Sequence, residues 1–122
     1  MTKKQLPEAA QEDDDLRRFA DCWNNEQFFD AHEALEPRWI KTRDRGLRGL
    51  IQLAAAFHHL KRGNLVGART TLERAMVRLA DTENAPCDID QKAFAKYAEG
   101  VLAALATTPL ADIIASRPTI DL

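Results

Sequence analysis

The chain has 122 residues, 45% of them hydrophobic and 30% charged. That is the size of one ordinary domain, and the composition excludes a chain too polar to build a core. Its 17 basic and 19 acidic side chains leave a net charge of −2, so no bulk attraction draws it to nucleic acid or an anionic membrane.

The N-terminus, Met-Thr-Lys-Lys-Gln-Leu-Pro-Glu, has no apolar stretch of the kind a signal peptide needs. No apolar run approaches the length of a membrane span. The cytoplasm is the expected location, and no membrane is expected as a partner. Cys22 and Cys87 lie outside any zinc or redox spacing and are expected as two reduced thiols.

In chain order, all strong periodicity is helical. Residues 1–11 are polar and predict a frayed segment, leaving 12–122 as one helical domain. Asp13, Asp14 and Asp15 offer N-cap and first-turn carboxylates to a helix ending near Asn24, with Leu16, Phe19, Ala20 and Trp23 on one face. A second helix starts near Glu26 and carries Phe28, Ala31, Leu35 and Trp39 on its apolar face. Pro37 removes one backbone donor, which predicts a kink or local unwinding beside Glu33 and Glu36. A basic connection with Arg38, Lys41, Arg43, Arg45 and Arg48 follows.

The third helix is predicted from about Asp44 to Arg62 and closes at Gly63-Asn64. The fourth runs from about Asn64 to Ala80. Asp88 and Gln91 have capping-box spacing at the head of a fifth helix. Thr108-Pro109 opens a short sixth, with proline as its first residue, running to about Ala115. No strand alternation or glycine-rich phosphate loop is present. The expected fold is all-α, a compact bundle of five to six helices joined by short loops. Trp39 and Phe57 are the expected core anchors.

Projection at 100° per residue places Phe28, Leu35 and Trp39 within about 40° of one another. His32 falls beside them, and Glu36 is its i, i+4 neighbour. The third helix is apolar around most of its circumference, which marks a central helix. Its one polar stripe is Arg48, Gln52 and His59. If the two polar sets meet, His32, Glu36 and His59 form a ligand set suited to zinc or another divalent transition metal with an open position. Glu33 would then stand by as a general base, and Gln52 would orient the ligands.

That is one reading, a metal-binding and hydrolytic protein. The other is a non-enzymatic helical interaction module, with the polar cluster as a buried hydrogen-bond network and a second copy of the chain as one candidate partner. His32-Glu-Ala-Leu-Glu36 lacks the second histidine of the His-Glu-x-x-His protease motif. The Arg/Lys cluster at 38–48 reads as a solvated connection, because no aromatic platform beyond Trp39 is interleaved with it, and nucleic acid is not an expected partner.

Two stretches resemble a known family. Phe28-Phe-Asp-Ala-His-Glu-Ala-Leu-Glu-Pro-Arg-Trp39 and Gly49-Leu-Ile-Gln-Leu-Ala-Ala-Ala-Phe-His-His-Leu-Lys-Arg-Gly-Asn64 are similar to a bacterial domain of unknown function, number 309 in that series. The resemblance covers about residues 16–80 and implies a compact helical bundle. It places His32, Glu33, Glu36, Trp39, Gln52, His59 and Asn64 on motif positions. It favours His59 over His58, where the family often carries an aromatic residue. It implies no activity.

Overall fold

The computed structural model describes residues 8–81 and 89–122, with side chains from Asp14 onward. Six helices occur among them: α1 (Glu8–Asn24), α2 (Phe28–Thr42), α3 (Arg45–Lys61), α4 (Leu65–Leu79), α5 (Gln91–Ala104) and α6 (Leu110–Ala115). No strand is present among the described residues. No described helix is long and apolar enough to cross a membrane.

Helix α3 is the axis of the fold. It packs against α2 and α4, and also against α5 and α6, while α1 covers α2 and α5 covers α4. Eleven of its seventeen residues are buried, as its nearly continuous apolar surface requires. The side chain of Asp44 caps it by accepting from the amides of Gly46 (2.9 Å) and Leu47 (3.3 Å). At the other end Gly63 takes φ +75°. There the Asn64 amide donates to the His59 carbonyl (2.8 Å) and the Gly63 amide to that of Leu60 (3.0 Å), the paired bonds of a Schellman cap. Asn64 then caps α4 by accepting from the Gly67 amide.

Several expectations need correction. Helix α1 begins at Glu8, so Asp13–Asp15 lie inside it instead of capping it. Helix α2 runs unbroken through Pro37 to Thr42, so the unwinding expected there does not occur. The basic connection shrinks to Arg43 and Asp44, because Arg38 and Lys41 are helical. Asp90, not Asp88, caps α5, accepting from the Ala93 amide. Asp88 and Cys87 lie outside the described residues. Pro109 is the N-cap of α6, one position before the helix proper.

The aromatic centre also differs. Phe57 is fully buried, but its partner is Trp23. Trp23 lies 4.9 Å from the Phe57 ring, 5.5 Å from Phe28 and 6.0 Å from Phe94, centroid to centroid. Its indole N–H donates to the Pro118 carbonyl at 2.8 Å. Trp39, near the end of α2, is only half-buried. Replacing Trp23 with alanine is expected to cost about 3–5 kcal/mol of a total near 5–15. Trp39→Ala should cost less, about 1–2 kcal/mol, since the ring is only half-buried at the edge of the core. Urea melts of the two variants check the ranking.

Gly49 sets the spacing of α3 and α4. A Cβ there would lie 2.8 Å from Leu79 Cγ and 3.0 Å from the Leu79 backbone nitrogen. Leu79 is fully buried and cannot swing aside. The overpacking therefore outweighs the roughly 1 kcal/mol that alanine gains over glycine in a helix. Thermal denaturation should show Gly49→Ala destabilised, by about 1–2 kcal/mol net.

Candidate functional site

The polar stripe of α3 lies against polar groups of α4. Gln52, only 9% exposed, accepts a hydrogen bond from an Arg78 guanidinium nitrogen at 3.1 Å. Toward the other end, His59 Nδ1 lies 3.1 Å from Asn64 Nδ2. Because the Asn64 oxygen already takes the Gly67 amide, its NH₂ group donates and His59 Nδ1 accepts. Gly67 makes room for this: a Cβ there would lie 2.8 Å from His59 Nδ1.

His32 and Glu36 sit on α2, with Nε2 and Oε2 3.8 Å apart. That is an ion-pair distance, longer than a hydrogen bond. The His32 ring stacks on Phe29, centroids 5.9 Å apart and planes at 19°. Among the described residues its buried Nδ1 has no hydrogen-bond partner. Across Phe29 lies His58, 5.5 Å from that ring. Glu33 is exposed.

In ion pairs and hydrogen bonds the four polar residues form three pairings, His32 with Glu36, Gln52 with Arg78 and His59 with Asn64, while the rings of His32, Phe29, His58 and His59 follow one another at 5.9, 5.5 and 6.4 Å. Among the described residues no three histidine, cysteine, aspartate or glutamate side chains are grouped to hold a metal. His58, which the family resemblance does not favour, is a second imidazole beside Phe29. Its i+29 separation from that ring left no local signal. Cys22 is buried, and burial followed by the Asp30 carboxylate pushes its thiol up, away from nucleophilic use.

The basic residues of 38–48 divide by partner. Arg38 is buried and donates to Asp15 at 2.9 Å. Arg45 pairs with Asp81 at 2.9 Å. Arg43 and Arg48 instead hold the Trp39 ring, their guanidinium carbons 4.6 and 4.3 Å from its centroid. Arg48 is one helical turn from Gln52, the residue that accepts from the Arg78 guanidinium. Burial, then Arg48, Arg45 and Arg74, lower the pKa of Arg78 from its ordinary value. Arg43, Arg48, Arg74 and Arg78 have no carboxylate within 4.0 Å among the described residues. Arg43 also sits at φ +55° as the C-cap of α2, a conformation costing an L-residue about 1–2 kcal/mol.

The fold and this face define a small helical bundle with a cationic, tryptophan-centred surface. Residues 16–71 match the family model described as Domain of unknown function (DUF309), so the resemblance carried by the two motifs holds. An uncharacterized protein of Aquifex aeolicus (strain VF5) is 29% identical over 103 residues, covering 81% of this chain and 31% of its own length. The chain thus spans about a third of that relative. No solved structure matches the chain.

His58 supplies a pH test. Burial first, then the Arg62 cation and the two other imidazoles, lower its pKa from the ordinary 6.5. As pH falls, the unfolded chain takes up this proton before the folded one does. Stability contributed above pH 6.5 is therefore lost as pH drops toward the folded value. His58→Phe keeps a ring against Phe29 and removes the proton site. Its melting temperature should fall less than the parent's between about pH 7.5 and about pH 5.5.

Proposed function

We propose that this chain is a non-enzymatic helical binding module that receives an anionic partner on the face around Trp39. The observation that carries the reading is the gathering of Arg43, Arg48, Arg74 and Arg78 with no carboxylate within 4.0 Å among the described residues, in a chain whose net charge is −2. Like charges brought together by folding repel unless water or an anion screens them. Carboxylates were available to neutralise the face, since acidic side chains outnumber basic ones.

Two further points support a binding role. Arg43 occupies a left-handed cap where glycine would be unstrained, and what the arginine adds there is its guanidinium on Trp39. The Aquifex relative has the matching segment as 31% of its length, which fits a module working beside other segments.

Chromatography on a sulfated polysaccharide tests the reading. The parent chain should be retained at low salt and released as salt rises, because exposed charge interactions are screened. Arg48→Ala/Arg78→Ala should elute clearly earlier. Arg17→Ala/Arg18→Ala, which removes two exposed cations of α1, should elute with the parent. Equal elution of all three, with unchanged helical circular dichroism, overturns the proposal.

A further inference from the structure

Resting on that reading, we infer that the Trp39 face is a site for the terminal phosphoryl group of a small phosphorylated molecule, gripped by Arg48 and Arg78. Three observations lead to this ligand class. The guanidiniums gather at one place and do not run as a stripe along a helix. Arg48 and Gln52 stand one turn apart on α3, and Arg78 is tied to Gln52 at 3.1 Å. A compact ligand with concentrated charge suits this arrangement better than an extended polyanion. A phosphate monoester carries about −1.5 to −2 charges at neutral pH and three acceptor oxygens, whereas a carboxylate offers one charge and two oxygens.

The second observation is the state of the indole. Nucleic-acid platforms leave aromatic faces open for bases to stack on. Here two guanidinium groups, of Arg43 and Arg48, lie within 4.6 Å of the Trp39 centroid. The ring therefore works as a support that steers cations, and the outward N–H groups of those cations are left to meet oxygen. Guanidinium forks match phosphoryl oxygens in bidentate geometry.

The third observation is preorganisation. Arg78 is fixed from below by the Gln52 carbonyl oxygen, an acceptor that takes up one of its five donors and leaves the rest. The following residue, Leu79, is locked against Gly49. Both arginines are thus held before a ligand arrives, which lowers the ordering cost of binding. Gln52 acts as a positioning residue, through its hydrogen bond to Arg78.

The test is a titration of the full chain, followed through the side-chain Nε–Hε resonances of the arginines and the indole N–H resonance of Trp39. The probes are orthophosphate, pyrophosphate, acetate and a single-stranded oligonucleotide. Saturable shifts at Arg48 and Arg78 with orthophosphate and pyrophosphate are expected, with acetate at least about tenfold weaker. Gln52→Leu should weaken pyrophosphate binding about tenfold while its helical signal and melting cooperativity persist. Arg78→Lys should weaken it as well, since an ammonium cannot reproduce the fork.

No shift at about 10 mM phosphate, well above a weak millimolar dissociation constant, overturns the inference. If the sulfated column still retains the parent through Arg48 and Arg78, the broader anionic-partner reading survives that result. Loss of both results removes both. An oligonucleotide binding more tightly than pyrophosphate, or acetate binding equally well, also overturns the phosphoryl assignment. The parent titration is decisive even where a variant fails to fold.

Discussion

The indole of Trp23 touches rings from three other helices, Phe28 on α2, Phe57 on α3 and Phe94 on α5, and none of its surface reaches solvent. A buried indole brings a large apolar area and one N–H that must be satisfied. The Pro118 carbonyl satisfies it. Placing this residue fixes where α1 ends, how α2 turns away from it, and how near α5 lies to the axis. Helix α3, apolar nearly all round, folds stably only if it is covered on most sides, and the ring cluster fastens that cover.

The polar face follows from the same arrangement. A helix buried on most sides can keep polar residues only where its neighbours offer partners. Gln52 and His59 survive on α3 because α4 presents Arg78 opposite one and Asn64 opposite the other. The close approach at Gly49 holds these partners in register. The arginine cluster is then a consequence of packing: the tight contact of α3 with the end of α4 delivers Arg78 to the place where Arg48 already stands. Neutralisation is local for Arg38 and Arg45, through Asp15 and Asp81, and absent for the arginines around Trp39 among the described residues.

Helical periodicity made much of this legible. The bounds of α3, its enclosure, its caps at Asp44 and Gly63 and the neighbouring of His32 and Glu36 follow from local spacing. Pairings across helices do not. Gln52 and Arg78 are 26 residues apart, and a wheel gives a direction without saying what lies there. Trp23 and Trp39 each sit on an apolar stripe. What separates them is that Trp39 packs only on the edge of the core, with two guanidinium groups beside its ring. The start of α1 was misplaced because three consecutive aspartates resemble a cap, yet they also suit the early turns of a longer helix, where negative charge meets the helix dipole favourably. The candidate residues show the same limit: the wheel gives the i, i+4 neighbouring of His32 and Glu36, while the contact of Phe29 with His58 crosses between two helices and has no local signature.

Arg117 carries the last consequence. Its guanidinium donates to the carbonyls of Trp23 (3.0 Å) and Asn24 (2.6 Å), while Asn24 exchanges two hydrogen bonds with Ile120. A helix leaves its final carbonyls without intrahelical donors, and those of α1 are supplied from more than ninety positions further on. Closing so long a loop is entropically costly until the intervening helices have condensed. The last turn of α1 is therefore completed late in folding, whatever its own helical propensity. In the native state the same bonds make that turn and the 117–120 segment one cooperative unit, so amide exchange at one end of the sequence reports on opening at the other.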